Sequence, residues 1–320
     1  MKVSIIIPIY GVERYIERCS RSLFEQTYDD IEYLFVNDCT KDCSIEILKS
    51  VIDEYPSRSK QIKIIEHHHN RGLAAARNTG VDVSTGDYLM HVDSDDWLDV
   101  NAVSVLVDNA ESTRPDVILF GSKSIYVDRE VVLLPEKYTK EQYIKSVLVH
   151  STPASIWNKF YRSEFYKNSG IRSIEGIDHG EDYVVVPRLL HKAQTWIVID
   201  EPIYNYNQTN ISSYTKNIST KSIISLLSAA HELYKYFTSI DDHEIYEYQI
   251  SILYMRTMLA LVKMATPSSY ALIYETFKPY INEGVDKLSL SDKLLYTLLK
   301  IRLYRVLYTL ILIYNRRFIF

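Results

Sequence analysis

The stretch Gly86-Asp87-Tyr88-Leu89-Met90-His91-Val92-Asp93-Ser94-Asp95-Asp96-Trp97 decides the fold. Tyr88 to Val92 reads as a short buried strand that delivers three carboxylates into a turn. Closely spaced carboxylates repel one another and resist desolvation, so a buried strand ends in them at a cost. A divalent cation removes the difficulty, because Asp oxygens are hard ligands suited to Mg²⁺ or Mn²⁺. Asp93 and Asp95 alternate, which suits one to a metal and the other to a hydroxyl-rich ligand. The plainer reading is a helix cap, with Asp95, Asp96 or Asp99 closing the start of a helix near Val100 to Ala110. An EF-hand loop does not fit, since Leu98 stands where that loop needs glycine.

Outward from this stretch, strands alternate with helices. Val3 to Ile9 is a continuous β-branched run of the kind covered on both faces. Val12 to Gln26 carries helical periodicity through Tyr15, Ile16, Cys19, Leu23 and Phe24. Ile31 to Val36 and Ile62 to Glu66 read as strands, with helices over about Ser44 to Tyr55 and Gly72 to Val83, and Val117 to Phe120 is a further strand. The alternation predicts an α/β domain with a mostly parallel central sheet. Ligands collect at the carboxyl ends of such strands, where Tyr10, Asp38, Asn70 and Asp93 all fall.

Two neighbouring features bear on chemistry. In His67-His68-His69 adjacent side chains point apart, so the run reads as a solvated loop rather than a metal site. From Asn70 to Gly80, Ala74, Ala75 and Ala76 permit close packing, and Arg77 projects from an otherwise apolar helix. An unpaired cation there would be costly. Arg77 therefore either pairs with an aspartate of the sheet or lies near an anionic or polar ligand.

A chain of 320 residues allows two domains, and its net charge of −5 argues against a general nucleic-acid binder. Cys19, Cys39 and Cys43 are odd in number and lack paired-ligand spacing, which points to a reduced, cytoplasmic setting. In that setting the Asn-x-Ser/Thr sequons at Asn207, Asn210 and Asn217 carry no meaning. Val3 to Tyr10, interrupted by Pro8, reads as a strand rather than a signal peptide. No run of about eighteen uncharged apolar residues predicts a spanning helix. Beyond residue 218 helices are expected over about Lys221 to Phe237, Asp242 to Ala265, Ser268 to Tyr280 and from Ser291 onward. From Leu294 to Phe320 there are five cations (Lys300, Arg302, Arg305, Arg316, Arg317) and no carboxylate. An apolar helix so charged suits an interfacial position on a membrane at the inner face of the cell, against the alternatives of core packing or a homo-oligomer contact.

Taken together, Ile7-Pro8-Ile9-Tyr10, Val36-Asn37-Asp38-Cys39-Thr40-Lys41-Asp42, Asn70 to Gly80 and His91 to Asp96 follow the order and spacing of the family 2 glycosyltransferases, which this chain resembles. The resemblance covers roughly residues 1 to 215, including Trp157-Asn158-Lys159-Phe160-Tyr161 and Gly180-Glu181-Asp182-Tyr183. It implies an inverting enzyme of the type A nucleotide-diphospho-sugar transferase fold. Such an enzyme moves a hexosyl or N-acetylhexosaminyl group from a nucleotide-sugar donor, first of all a UDP-sugar, to a glycan or lipid-linked acceptor in cell-surface polysaccharide synthesis. By the same resemblance Pro8, Tyr10 and Asp38 line the nucleobase pocket with Arg77 beside it. Asp93 faces the ribose or sugar, and Asp95 ligates Mn²⁺ or Mg²⁺ bridging the diphosphate. Trp157, Asn158, Lys159 and Glu181 shape the sugar and acceptor side, and Asp182 resembles the catalytic base.

The chain departs from the pattern at three places. Asn37 replaces a common Asp, Cys39 replaces a common Gly, and Gln208 stands near a common Arg. Cysteine visits positive φ less freely than glycine, so the turn after Asp38 is the one most affected. Glu181 and Asp182 also have a plain electrostatic reading, since carboxylates in a helix's first turn are favoured by the macrodipole. The apolar Tyr183 to Val186 after them implies partial burial, where Asp182 could take the acceptor hydroxyl's proton. Other readings are a catalytically silent nucleotide-sugar-binding scaffold subunit and a nucleotidyltransferase. The latter normally has a glycine- and basic-rich loop after the first strand, which Pro8-Ile9-Tyr10-Gly11-Val12-Glu13 is not. The expected organisation is a catalytic domain over 1–215, nucleotide-binding to about 120 and acceptor-side to 215, then a helical C-terminal region over 216–320.

Overall fold

The computed structural model describes residues 1–210, 218–281 and 284–317, with side chains of the last helix described to residue 313. Its first part runs β1 (Val3–Ile9), α1 (Ile16–Phe24), β2 (Ile31–Asn37), α2 (Ser44–Glu54), β3 (Ile62–Glu66), α3 (Leu73–Val83) and β4 (Tyr88–His91). All seven residues of β1 and of β2 are buried, as mainly apolar strands require when both faces are covered, and the buried Ser4 and Glu32 hydrogen-bond to each other at 2.6 Å. On α1, Ile16, Cys19, Ser20, Leu23 and Phe24 form the inward stripe, at the spacing of one helical face. The alanines of α3 do what small residues allow. A Cβ added at Gly80 would collide with the Ile6 side chain, so the helix lies directly on β1.

The chain continues through β5 (Trp97–Leu98), α4 (Ala102–Glu111), β6 (Val117–Ile125), β7 (Glu130–Leu133), α5 (Lys140–Leu148), β8 (Lys159–Arg162), α6 (Ser163–Asn168), α7 (Glu181–Lys192) and β9 (Trp196–Asn207). The sheet order is β3-β2-β1-β4-β8-β6-β9-β5, with β7 paired to β6. β3, β2, β1 and β4 are parallel, which is the parallel sheet expected from the alternation. Past β4 the sheet is mixed. β8 runs antiparallel to β4 and β6, β9 runs parallel to β6, and β5 runs antiparallel to β9. Strand β9 has a register irregularity opposite Leu119 to Ser122 and then carries Tyr204 and Asn205 alongside the short β5.

The contacts divide the chain into two compact units. The first is Met1–Lys140, Ser155–Gly176 and Arg188–Ile211; the second is Glu141–Ala154, Ile177–Pro187 and Ser212–Phe320. The division is therefore not a single cut near residue 215, because two earlier segments, one carrying Glu181 and Asp182, group with the helices. The boundary inside α7 falls at Pro187, a residue that removes one helical hydrogen bond.

The second unit is built from α8 (Thr220–Ser239), α9 (Glu247–Met264), α10 (Pro267–Phe277), α11 (Leu290–Lys300) and α12 (Tyr304–Arg317). Ser219 caps α8, its hydroxyl accepting from the Ser222 amide at 3.1 Å, and Ser289 caps α11 through Asp292 in the same way. Asp292 is buried and holds Arg256 and Lys263 of α9, so a charge inside this unit is compensated on two sides. Among the described residues no helix is long and apolar enough to cross a membrane.

Candidate active site

The turn after β4 is organised by hydrogen bonds from β9 rather than by helix capping. Asp96, only 1% exposed, accepts the Tyr204 hydroxyl on Oδ2 at 2.7 Å and the Asn207 amide on Oδ1 at 2.7 Å. The same Tyr204 oxygen accepts the Asp93 amide at 3.1 Å, tying both ends of the turn to one side chain. Asn210 donates to Asp95 Oδ2 at 2.7 Å, and Asn207 Nδ2 donates to the Asp95 carbonyl at 3.1 Å. The capping reading fails. Helix α4 begins at Ala102 with no side-chain cap, and the Asp99 carboxylate goes to Lys123 and Asn205 instead.

Packing three carboxylates this tightly has electrostatic consequences. Burial, then the charges of Asp95 and Asp93, push the Asp96 carboxyl well above the usual carboxylate range. Burial and the Asp93 charge also push Asp95 upward. Asp93 has its own counter-ion, because Arg77 reaches its Oδ1 at 3.1 Å from a position 2% exposed. Of the two readings of Arg77, the ion pair with an aspartate at the sheet's end is the one formed. Arg77 thereby fixes Asp93, whose side chain is 26% exposed, and Asp93 is the member of the pair that faces outward.

Asp95 suits a divalent cation. It presents a hard carboxylate whose pKa burial and the Asp93 charge push up, and a bound cation would push it back down. Among the described residues no group of three or more His, Cys, Asp or Glu is placed to hold a metal. Mg²⁺ does not need such a cage when one or two carboxylates act together with substrate phosphates.

The loops at the carboxyl ends of β1 and β2 are stitched together beside this turn. The Asp38 amide donates to the Ile9 carbonyl at 3.0 Å, and the Gly11 amide donates to Thr40 Oγ1 at 2.9 Å. Pro8 is buried within β1 next to Val36, while Tyr10 is exposed just past the strand. The Asp38 carboxylate is used as a loop clamp: it takes His67 Nδ1 at 2.7 Å and the amides of Arg71 and Gly72 at 2.8 Å each. His67 is buried and also meets Thr79 Oγ1 at 2.9 Å, which corrects the reading of all three histidines as solvated; only His68 and His69 are exposed.

The departures at 37 and 39 acquire reasons. Asn37 Nδ2 donates to Glu66 at 2.5 Å, where an aspartate would place two anions together. Cys39 has φ +57°, so the turn keeps a glycine-like geometry at a cost of about 1–2 kcal/mol for a residue with a side chain. Gln208 follows β9, its amide donating to the Ile125 carbonyl at 2.8 Å.

Trp157 is half-buried and stacks on Tyr204 at 4.4 Å and on Tyr206 at 5.3 Å, so it covers the residue that holds Asp93 and Asp96. Lys159 is fully buried in β8, and its ammonium donates to the Ser155 carbonyl at 2.5 Å and to Asn158 Oδ1 at 2.7 Å. The lysine braces its own segment. Glu181 and Asp182 open α7 as expected, after Gly180 at φ +97° pressed against Leu226. They belong to the second unit, with Glu181 buried and Asp182 half-buried; burial and the Asp182 charge push the Tyr143 hydroxyl upward. A cavity of about 590 Å³ in the first unit, lined by Arg14, Arg18, Trp97 and Asp99 among others, contains none of the predicted site residues. The guanidinium carbon of Arg18 sits over the Trp97 ring there, 3.4 Å from its centroid.

The profile of glycosyl transferase family 2 matches residues 4–172 of the chain. The chain belongs to this family. EpsJ of Bacillus subtilis (strain 168), described as an uncharacterized glycosyltransferase, is 32% identical over 222 residues, covering 67% of this chain and 63% of EpsJ. The chain thus spans less than two thirds of that relative's length. The crystal structure of S. aureus TarS 1–349 in complex with UDP-GlcNAc superposes with a TM-score of 0.71 at 20% identity, over 99% of this chain and 92% of that one. The mannosyltransferase PcManGT from Pyrobaculum calidifontis, in complex with GDP-Man and Mn²⁺, gives 0.54 at 14% identity, over 97% and 83%. These likenesses establish the type A glycosyltransferase fold.

Tyr204, Asn207 and Asn210 hold the acidic turn, a role that sequence reasoning missed. Asn210 stood out only as a sequon, Tyr204 only as part of the segment before Gln208 and Asn207 as both, and the sequon at Asn217 lies outside the described residues. A usable signal was present: Tyr-x-Tyr-Asn near the end of a strand places a hydroxyl and two amides where a carboxylate cluster needs donors.

Proposed function

We propose that this family 2 member is a metal-dependent inverting glycosyltransferase, moving a sugar from a UDP-sugar to a glycan or lipid-linked saccharide acceptor in cell-surface polysaccharide synthesis, at the cytoplasmic face of the membrane. The observation that carries the reading is the Asp93–Asp96 turn at the end of parallel β4. Its middle residue, Asp95, is held in place by Asn207 and Asn210, with its carboxylate beside that of Asp93. The UDP-GlcNAc complex of TarS and the Mn²⁺ complex of PcManGT, both of this fold, support the donor class and the metal.

In this reading Pro8 and Tyr10 flank the nucleobase, Asp38 orders the loop beside it, and Asp93, held by Arg77, receives ribose or sugar hydroxyls. Asp95 holds the Mn²⁺ or Mg²⁺, which when bound offsets charge on the diphosphate. Trp157, Asn158, Lys159 and Glu181 shape the sugar and acceptor side. Asp182 takes the proton from the acceptor hydroxyl as its oxygen bonds to the anomeric carbon. The bond from that carbon to the diphosphate oxygen breaks with its electron pair, and the configuration inverts. Purified protein screened against nucleotide sugars, with and without Mn²⁺, should release UDP from one UDP-sugar. Asp182→Asn should keep donor binding and cut turnover by about 10²- to 10⁴-fold. A product with retained anomeric configuration, or a more damaging Glu181→Gln, would overturn the assignment of Asp182.

A further inference from the structure

The connection between α11 and α12 is built in a costly way. Arg302 donates to the Leu299 carbonyl at 3.1 Å and Leu303 to the Leu298 carbonyl at 2.9 Å, the paired bonds of a Schellman cap. That cap places its central residue in the left-handed region, where glycine is favoured. Here the residue is arginine, with φ +61°. A purely structural cap is better served by glycine, so the arginine carries a cost of about 1–2 kcal/mol that its position does not explain.

Its surroundings do explain it. Lys300, Arg302 and Arg305 are all exposed, and between them Ile301, Leu303 and Val306 are 56%, 47% and 48% exposed. A cap of this type normally tucks the residue after the left-handed position against the helix; Leu303 leaves about half of its surface open. On α12, Leu307 and Ile311 are buried, while Val306 and Ile313, one heptad apart, extend the outer apolar row. Helices α10 and α11 pack on α12, and together the three contribute two carboxylates. Asp292 is buried with Arg256 and Lys263, and Glu275 lies 3.5 Å from Arg302. The net field of the patch is positive.

We propose that the α11–α12 turn docks on an anionic phospholipid surface, with Ile301, Leu303 and Val306 entering the interface and Lys300, Arg302 and Arg305 among the headgroups. Aliphatic side chains alternating with cations at a convex turn match the layered chemistry of that surface, apolar below and anionic above. Arg316-Arg317-Phe318-Ile319-Phe320, which the sequence also suggests for this role, lie outside the side chains described. The proposal is independent of the glycosyl-transfer reading.

The test is co-sedimentation of the full chain with phosphatidylcholine vesicles, with and without added phosphatidylglycerol. Binding is expected only with the anionic lipid and should weaken with salt. Arg302→Gly relieves the strained backbone, so its melting temperature should hold or rise. Its vesicle affinity should nonetheless fall about fivefold, one cation near an anionic surface being worth about 1 kcal/mol. The double change Ile301→Ser/Leu303→Ser should weaken binding further with the fold intact. Absence of binding to anionic vesicles, or undiminished binding by both variants, would overturn the proposal. So would a change of oligomeric mass in the variants without a change in vesicle affinity, which would make this face a contact between copies.

Discussion

Tyr204→Phe tests the organisation of the acidic turn with a single oxygen. The phenyl ring keeps the stack under Trp157, so little packing is lost. Removing the hydroxyl takes a donor from Asp96, which is buried, and an acceptor from the Asp93 amide. A hydrogen bond to a carboxylate contributes about 1.5–3 kcal/mol, and an amide left unsatisfied in a dry site costs about 1–3 kcal/mol. Asp93 is partly exposed, so water satisfies part of the second loss, and the sum falls near 2–4 kcal/mol. At about 2–4 °C per kcal/mol for a domain of this size, the melting temperature should drop by roughly 4–16 °C. Chemical denaturation of Tyr204→Phe, Asp96→Asn and the double variant measures the coupling, which should exceed about 1 kcal/mol for groups in direct contact. A loss below about 0.5 kcal/mol, or additive effects, would show that Tyr204 does not hold the turn.

Cys39→Gly should stabilise the protein by about 0.5–1 kcal/mol, because glycine accepts φ +57° without strain at some entropic cost; a lower denaturation midpoint would contradict the strain. Glu32 is buried, which raises its pKa, yet the Ser4 hydroxyl, the Thr85 amide and Lys2 outweigh burial and hold it at about 2, against an ordinary 4.5. A depressed carboxyl pKa stabilises the fold above the unfolded value and loses that contribution as pH falls through the folded one. Glu32→Gln should therefore cost about 2–3 kcal/mol at neutral pH, with the difference from wild type shrinking as the pH falls from 4.5 toward 2. A difference that does not vary with pH would mean the loss is one of packing.

The parallel half of the sheet was legible because β1, β2 and β4 are mainly apolar runs closed by turn residues, a local signal that a single Glu32 within β2 does not break. The mixed half was not. β8 is four residues long with a cation at each end, and the apolar start of β9, Trp196 to Ile199, gives way at Asp200-Glu201-Pro202 to a polar, tyrosine-rich end. Their places come from pairing across the chain, as in Phe160 opposite both Met90 and Ile118. Tyr204 lies 108 residues from Asp96 and His67 lies 29 from Asp38, so the partners of the acidic residues could not be read locally. The motif positions Asp93 and Asp95 were legible because two carboxylates at the end of a buried strand are improbable without a ligand or counter-ion. The pairing of Arg77 with Asp93 was one of two open readings, and it took the fold to show that the pair forms.

Calorimetric titration of the full chain with UDP, with and without Mn²⁺, in wild type and Asp95→Ala, tests the metal and the nucleotide at once. Wild type should bind UDP in a Mn²⁺-dependent manner. In Asp95→Ala, with an unchanged circular dichroism spectrum, that dependence should fall at least roughly tenfold, the lower end of what losing even an outer partner of a metal costs. Equal Mn²⁺-dependent affinity in a folded Asp95→Ala, or no UDP binding by wild type under any metal, would contradict the assignment.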